Sequence, residues 1–403
     1  MPLTHESVVE KMARRQGKKS LLLVMDGLGG FQTSQKSSEL SAASTPNMDR
    51  LAYEGACGLH DPVSRGITAG SGAGHLGLFG YDPLKYEIGR GIITAAGIGF
   101  DLLPRDIAAR ANFCTISPQG TVLDRRAGRL SDIDARRLCD LLAKRIELPG
   151  IEFFLQPESE HRALLVLRGP NLSPALSDTD PQRVGVPPLV ATPRHDSARR
   201  TAEIVHSFLD QATDLLKGEA KANGILLRGF DAIQDMPSFA SRYQVNPIAI
   251  AAYPTYLGIC RLLGFETLRI ERGVAEEVAA LPTQMARHDF AFLHVKKTDS
   301  AGEDGDFDRK VAVIEEVDAL IPAILISGVE VLAITGDHST PAQMLAHSWH
   351  PVPVVIWGGT AAADRLGGFD EVYCRQGSLG RFDAKFLMPQ LLASAGRLTK
   401  YGA

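Results

Sequence analysis

Carboxylate and imidazole side chains gather at four places in this chain, and three of these places directly follow apolar segments. They are Asp26 in "VMDG", Asp299 and Glu303 in "TDSAGEDGD", Asp337 and His338 in "TGDHST", and His347 and His350 in "AHSWHPVP". In open α/β sheets, sites form beyond the carboxyl ends of strands. A mixture of Asp, Glu and His suits manganese or zinc. The set therefore predicts a metal site.

Each cluster also has an ordinary structural interpretation. Asp-Gly after a strand is common in turns. The acidic run from Asp299 through Asp304 to Asp306 could simply favour a helix N-terminus, and His350 could be a surface histidine. Because three clusters stand at the ends of predicted strands, we favour the metal interpretation for the set as a whole.

A lone serine, Ser71, lies in the glycine-rich stretch "GITAGSGAGHLGLFGYDP", just before a predicted helix. Free backbone N–H groups at a helix N-terminus favour an anion, or a nucleophile that becomes phosphorylated. The alternative is a flexible loop. The stretch does not fit the serine turn of α/β-hydrolases. His75, one turn further on, is interpreted as a packed histidine or a group behind the site.

The elements that must position these residues indicate an α/β protein with a doubly wound sheet. Segments that are apolar at every position are typical of strands buried on both faces, and helical patterns separate several of them. The predicted strands are "SLLLVM", "PIAIAAY", "FAFLHV", "VEVLAIT" and "VPVVIWGG".

The middle of the chain follows a different pattern. Residues 106–131 and 151–169 alternate as antiparallel strands do, and amphipathic helices follow them. A stretch rich in proline, aspartate and threonine, 176–193, is interpreted as a linker. We predict a metal-binding α/β domain from residues 1–105 and 236–403, with a smaller α+β substrate-binding domain, 106–235, inserted into it.

Composition narrows the class of protein. The chain has 403 residues and a formal net charge of −4, and it lacks a long basic run, so nucleic acid is not an expected partner. Its five scattered cysteines predict free thiols in a reducing compartment. No segment resembles a signal peptide or reaches the ~20 apolar residues that span a bilayer. We expect a cytoplasmic protein without a membrane partner.

Six segments, in chain order, resemble the cofactor-independent (2,3-bisphosphoglycerate-independent) phosphoglycerate mutases of the archaeal-type branch, within the alkaline phosphatase superfamily. They are "VMDGLGG", "STPNMDRLAYEGACGLHDPV", "GSGAGHLGLFGYDP", "HVKKTDSAGEDGD", "TGDHSTP" and "HSWHPVP". The resemblance implies an alkaline-phosphatase-like fold. It also implies the interconversion of 3-phosphoglycerate and 2-phosphoglycerate, a small-molecule substrate, through a phosphoserine on Ser71.

The resemblance further implies two divalent metal ions, usually manganese, with zinc, cobalt or magnesium as alternatives, and no bisphosphoglycerate. It assigns Asp26, Ser71, Asp337 and His338 to one metal. It assigns Asp299, Glu303 and His347 to the other, and it leaves His350 at a variable position. A metal lowers the pKa of a bound serine hydroxyl, and a site closed by the second domain protects the phosphoserine from water.

The inserted domain is expected to hold the glycerate, since arginine binds carboxylate through two parallel hydrogen bonds. The candidates are Arg126, Arg129, His161, Arg162 and Arg228, with Asp178 and Asp180 as partners for hydroxyls or protons. Lys296 or Lys297, of which we select Lys297, is expected to contact phosphate.

Two positions depart from the family pattern. Relatives often have histidine where Glu303 stands, and the glutamate of this chain favours a harder metal. A basic residue is expected where Leu257 stands. Leu257 keeps open a metal-dependent phosphohydrolase, or a mutase acting on another phosphorylated or phosphonylated small molecule. A catalytically silent binding protein is a further alternative, and the intact set of candidate ligands argues against it.

Overall fold

The computed structural model describes residues 3–33 and 35–402. Its chain forms two compact units, Met1–Glu87 with Met236–Ala403, and Ile88–Asp235. The second unit begins at Ile88 and not at residue 106, because a helix that the sequence patterns did not reveal, Arg90–Ile98, packs on the strands of this unit. Within the described residues, no helix combines the length and apolarity needed to cross a bilayer.

The first unit contains an eight-stranded sheet. Its strands are β1 (Ser20–Met25), β2 (Ala56–Asp61), β8 (Pro247–Ala251), β9 (Glu266–Arg269), β10 (Phe290–Val295), β11 (Val331–Thr335), β12 (Val352–Gly358) and β13 (Gly380–Asp383). The strand order is β13-β2-β12-β11-β1-β10-β8-β9. The strands from β11 to β9 run parallel, whereas β12 runs antiparallel to both of its neighbours. The predicted α/β class is confirmed.

Helices precede, separate and follow these strands along the chain. They are α1 (His5–Met12), α2 (Glu39–Ala42), α3 (Pro46–Glu54), α4 (Ser71–Leu78), α8 (Phe239–Tyr243), α9 (Pro254–Leu262), α10 (Val274–Arg287), α11 (Lys297–Glu303), α12 (Phe307–Leu325), α13 (Glu371–Cys374) and α14 (Leu387–Ser394), with a 3₁₀ turn at Ala384–Phe386. Leu257 is buried in α9. Side chains of the central strands and of α10 and α12 form one continuous apolar core, which fixes the strand ends in place.

The second unit has a five-stranded antiparallel sheet. Its strands are β3 (Ile107–Ile116), β4 (Val122–Asp124), β5 (Glu152–Ser159), β6 (Arg162–Arg168) and β7 (Gly224–Asp231), and its helices are α5 (Arg90–Ile98), α6 (Asp132–Arg145) and α7 (Arg199–Leu216), preceded by a 3₁₀ turn at Asp196–Ala198. One sheet face contributes Phe113, Leu165 and Leu227 to a core that also includes Phe208 of α7. The stretch 176–193 is not a linker between units, since Thr179 bonds to Leu227 of β7.

The cysteines agree with the prediction of free thiols. All five, Cys57, Cys114, Cys139, Cys260 and Cys374, are buried and unpaired among the described residues.

Candidate active site

The first unit brings together the carboxylates and imidazoles that follow three neighbouring strands. β1 lies between β10 and β11, and Met25 aligns with Val295 and Val24 with Thr335. The parallel strands therefore end at the same edge of the sheet. Asp26 follows β1, Asp337 and His338 follow β11, and Asp299 lies in the first turn of α11, just after β10.

Two groups of possible metal ligands form there, and they share His338. In one group, Nε2 of His338 lies 3.4 Å from Oδ1 of Asp26 and 3.3 Å from Oδ2 of Asp337. In the other, Asp299 and His347 join His338, with Oδ1 of Asp299 3.5 Å from Nε2 of His347. The ligand atoms of each group lie within 4.8 Å of one another. Glu303, half exposed, is at the rim, with Oε1 3.7 Å from Nε2 of His347.

Hydrogen bonds select the ring nitrogens that these histidines turn towards the carboxylates. Oγ1 of Thr340 donates its proton to Asp299 over 2.7 Å, so it accepts from Nδ1 of His338 over 3.0 Å. Nδ1 of His347 donates to the carbonyl of Ala69 over 2.9 Å. In the neutral rings both Nε2 atoms therefore carry a lone pair, as metal-binding histidines do when a neighbouring group fixes the other nitrogen. Burial also lowers the pKa of His338 despite the nearby Asp337 and Asp26, which favours the neutral ring.

The buried carboxylates fit a cation. Within the described chain, Oδ1 of Asp26 accepts no hydrogen bond although it is buried, and an orphaned buried oxygen of this kind needs a partner. Its other oxygen lies 3.1 Å from Nε2 of His294 and 3.1 Å from Nζ of Lys296. Burial by itself raises the pKa of Asp26, but Lys296 and His294 outweigh burial and hold that pKa well below its usual value.

Lys296, and not the adjacent Lys297, lies among the carboxylates. Its Nζ donates to Oδ2 of Asp26 over 3.1 Å and to Oδ2 of Asp299 over 2.5 Å. Lys297 is largely exposed and lies 3.8 Å from Glu316. Helix α11 begins at Lys297, and this change from strand to helix turns the two neighbouring side chains in different directions.

Ser71 is the first residue of α4, and its Oγ lies 3.3 Å from Nε2 of His338. Among the described residues, no side chain caps the N-terminus of this helix, so its N–H groups are free for an anion. A Cβ on Gly74 would lie 2.3 Å from the carbonyl oxygen of Asp337. Glycine at this position therefore allows α4 to approach the loop after β11.

His75 is packed behind the carboxylates. Its side chain is fully buried, with Nδ1 2.8 Å from the carbonyl of Ser71 and 3.2 Å from Oδ2 of Asp337. Burial lowers the pKa of His75, but Asp337 outweighs burial and raises it above the usual value. His75 thus links the serine helix to a candidate ligand.

His350, Asp304 and Asp306 lie in other surroundings. His350 stacks on Phe31 and Trp349. Asp304 bonds to Arg309, and Asp306 caps helix α12. Asp304 and Asp306 therefore contact the start of α12, as the ordinary structural interpretation of the acidic run predicts.

The second unit gathers cationic side chains on the sheet face opposite its core. Arg110 of β3 lies directly across from Arg228 of β7, and Asn112 lies across from Arg162 of β6. Like charges placed opposite one another destabilise a sheet. Among the described residues, the Nε atoms of Arg110, Arg162 and Arg228 are buried without a hydrogen bond. Burial, and then the charge of Arg90 on α5, lowers the pKa of Arg110. Such a face is suited to an anion.

The other predicted residues of this unit differ in their surroundings. His161 is buried, and burial together with Arg162 lowers its pKa to about 4, so it is neutral near pH 7. Arg126 and Arg129 are exposed. The neighbouring Arg125 makes two hydrogen bonds to Asp180.

Asp180 also lies 3.6 Å from Arg228. Asp178 accepts a hydrogen bond from the backbone of Gly229 over 2.8 Å. Both aspartates therefore flank the arginine face.

Comparison with known proteins identifies the family. The family model described as 2,3-bisphosphoglycerate-independent phosphoglycerate mutase matches residues 52–221. A protein of Thermus thermophilus, named a probable 2,3-bisphosphoglycerate-independent phosphoglycerate mutase, is 46% identical over 98% of this chain and 99% of its own length. The chain belongs to the 2,3-bisphosphoglycerate-independent phosphoglycerate mutase family.

Further similar proteins support the assignment to this family. A similarly named protein of Aquifex aeolicus is 45% identical over 98% of this chain and all of its own. A solved structure from Pyrococcus horikoshii has a TM-score of 0.81 at 29% identity, covering 96% of this chain and all of that one. The cofactor-independent phosphoglycerate mutase of Thermoplasma acidophilum has a TM-score of 0.68 at 31% identity, covering 94% and 100%. The resemblance drawn from the sequence is confirmed.

The sequence did not reveal several residues that lie beside the candidate metal ligands or on the cationic face. Thr340 and His294 contact candidate ligands directly, and Arg110 and Arg90 belong to the cationic face. The available signals were weak. Thr340 lies two residues after His338 in "DHST", His294 lies in the strand before the acidic run, and Arg110 is a charge inside the apolar segment "IAARANF".

Proposed function

We propose that this chain interconverts 3-phosphoglycerate and 2-phosphoglycerate without bisphosphoglycerate, through a phosphoserine on Ser71. The observation that carries the proposal is the placement of Ser71. Its hydroxyl lies at the uncapped N-terminus of α4, 3.3 Å from an imidazole nitrogen that belongs to both candidate metal groups. A nucleophile in this position has anion-binding N–H groups beside it.

Two divalent ions, most favourably manganese, with zinc, cobalt or magnesium as alternatives, are proposed as cofactors. Asp26, Asp337, His338 and Ser71 would hold one ion, and Asp299, Glu303 and His347 the other, with His338 near both. When bound, such ions offset phosphoryl charge and lower the pKa of a coordinated hydroxyl. The buried carboxylates and the oriented Nε2 atoms support this assignment.

The residues of the chain have distinct roles in this proposal. The oxygen of Ser71 forms a bond to phosphorus as the bond between phosphorus and the 3-oxygen of glycerate breaks, and that 3-oxygen gains the proton that Ser71 loses. The 2-hydroxyl of the glycerate then takes the phosphoryl group and returns its proton to Ser71. Lys296 donates to a phosphoryl oxygen, as a cation between two carboxylates can do once an ion binds them.

The arginine face of the second unit is proposed to bind the carboxylate of the glycerate. The Nε atoms of Arg228, Arg162 and Arg110 make no hydrogen bond to the described part of the chain, and Arg90 adds charge. His161, Asp178 and Asp180 are proposed to orient these arginines or the substrate hydroxyls. The exposure of Arg126 and Arg129 gives them a lesser part, and Lys297 is replaced by Lys296 as the phosphate contact.

The test follows 3-phosphoglycerate by phosphorus NMR, with protein stripped of metal by EDTA and then supplied with manganese, in the absence of bisphosphoglycerate. We expect 2-phosphoglycerate to accumulate only when the metal is restored. Release of inorganic phosphate in its place would identify a phosphohydrolase. Turnover that survives thorough chelation would reject the metal-dependent mechanism.

A further inference from the structure

The two loops that carry candidate ligands in the first unit are locked together. We call residues 26–30 the first ligand loop and residues 337–342 the second. The backbone N–H of Thr340 lies 3.2 Å from the carbonyl of Gly27 and 3.1 Å from that of Gly29. Gly27 has a φ of +65°, and a Cβ there would lie 2.5 Å from Oγ1 of Thr340. The contact between the loops therefore depends on glycine in a left-handed conformation.

A buried lysine of α12 bonds to both ligand loops at once. Lys310 has no exposed surface. Its Nζ donates to the carbonyl of Thr340 over 2.9 Å and to the carbonyl of Gly29 over 3.3 Å. It also lies 3.7 Å from Oε2 of Glu39. One ammonium group thus joins one carbonyl from each loop.

Two buried carboxyl groups accept hydrogen bonds from backbone N–H groups of the same two loops. Oε1 of Glu39 accepts from the backbone of Ala342 over 2.6 Å. Oε1 of Glu371 accepts from the backbone of Gly30 over 2.9 Å, and its Oε2 accepts from Ser38 over 2.6 Å. Each ligand loop is therefore held through a carbonyl and through an N–H group.

Burying the charges of Lys310, Glu39 and Glu371 carries a desolvation cost, which indicates a role other than stabilising the fold. Removing charges from water is expensive, and buried ion pairs are often no more stabilising than apolar residues of the same shape. The loops in question carry Asp26 and Asp337, two buried carboxylates whose charges repel each other and whose spacing a bound metal ion would require. A rigid support that fixes their spacing beforehand would reduce the free-energy cost of ordering the ligands when the ion binds.

We propose that Lys310 is a positioning residue that sets the spacing of the two ligand loops for metal binding. This inference rests on the two-metal site proposed above. The hydrogen bonds of Lys310 go to the loop backbone. Among the described residues none goes to a candidate ligand side chain, although the charge of Asp299 acts on the ammonium group. Its loss is expected to weaken metal affinity about 10- to 100-fold, the usual effect of removing a group that orients metal ligands, without changing the number of ions bound.

The experiment measures manganese binding to the metal-free protein by calorimetry, and unfolding of the same metal-free protein by urea. Lys310→Met keeps most of the length of the side chain and removes the charge. Arg397→Met is the matched control, because Arg397 is also a buried cation of this unit and bonds to the carbonyls of Lys18 and Arg15, before the first residue of β1. We expect both variants to be less stable and Lys310→Met alone to bind manganese more weakly.

A double variant, Lys310→Met with Glu39→Gln, separates positioning from stability. It removes both charges, so stability should recover towards that of the wild type while metal affinity stays low. Wild-type affinity in Lys310→Met, or recovery of affinity together with stability in the double variant, would overturn the inference. A wild-type protein that binds no manganese would reject the two-metal site itself, and the role of Lys310 with it.

Discussion

Nε2 of His338 lies 3.3 Å from Oγ of Ser71. Nδ1 of the same ring is held by Thr340, so the nitrogen facing the serine carries a lone pair. The relationship places a potential nucleophile beside a nitrogen that can accept its proton or share a metal ion with it. The role proposed for Ser71 depends on this geometry.

Ser71→Ala should abolish mutase turnover and leave the fold intact, because a methyl group fits wherever the hydroxymethyl does. Protein quenched with 3-phosphoglycerate should show a phosphorylated peptide containing Ser71 by mass spectrometry. Ser131, which caps α6, provides a control, since Ser131→Ala should cost about 1 kcal/mol of stability and keep turnover. A phosphopeptide mapping elsewhere would refute the role of Ser71.

Glu303→Ala should weaken binding of one of the two proposed metal ions, because Glu303 faces His347 at the rim of the group formed by Asp299, His338 and His347. Asp306→Ala should keep both ions and cost about 1 kcal/mol of stability, since its carboxylate caps α12. Glu303→His should move the metal preference towards zinc. Calorimetric titration with manganese and zinc measures all three variants. Greater loss of metal in Asp306→Ala than in Glu303→Ala would contradict the assignment.

Lys296→Met should lower kcat/KM by about 10- to 100-fold, the usual range for losing a hydrogen bond to a charged group. Lys297→Met is the matched control and should stay near the wild type, because Lys297 lies at the surface beside Glu316. Steady-state kinetics with 3-phosphoglycerate compares the two. Equal losses in both variants would show that the start of α11 does not select between these lysines.

Arg110→Met should raise the KM for 3-phosphoglycerate and at the same time stabilise the protein. The buried charge of Arg110 faces Arg228 across the sheet, and removing one of two opposed like charges relieves repulsion. Arg137→Met, which breaks an exposed ion pair with Glu219, should change stability by no more than about 0.5 kcal/mol and leave KM unchanged. Urea unfolding and kinetics provide both measurements. A destabilised Arg110→Met with normal KM would assign Arg110 a purely structural role.

Glu277 should make stability fall as pH rises. Burial raises the pKa of this α10 carboxyl to about 8, above its ordinary value of 4.5. The unfolded chain releases the proton near pH 4.5 and the folded chain keeps it until about pH 8, so the free energy of unfolding decreases across that window.

Glu277→Gln should remove this dependence and raise stability by roughly 2–4 kcal/mol at pH 8, with little effect at pH 4. Glu276→Gln, at the exposed neighbouring position, should show no such difference. The measurement is urea unfolding at several pH values. A wild-type protein whose stability is constant between pH 5 and 8 would contradict the raised pKa.

The candidate chemistry and the class of fold could be predicted from the order of the amino acids alone. Asp26, Asp299 and Asp337 stand after segments whose continuous apolarity indicates strands buried on both faces, and parallel strands place their carboxyl ends at one edge. Local composition was sufficient because a strand that is buried on both faces is apolar at every position, which a short segment of sequence reveals. The ordered motifs then identified the family that the comparisons show.

Tertiary structure decided what depends on direction and on distant partners. The start of α11 selects Lys296 over Lys297. The conformation of the loop after β11 turns Thr340 towards His338, and the packing of this loop on α11 brings Thr340 to Asp299. Arg110 was hidden because an alternating strand does not reveal which face is covered by helices. The boundary at Ile88 and the bonds of Lys310 to two loops arise between residues far apart in the chain, where no local pattern records them.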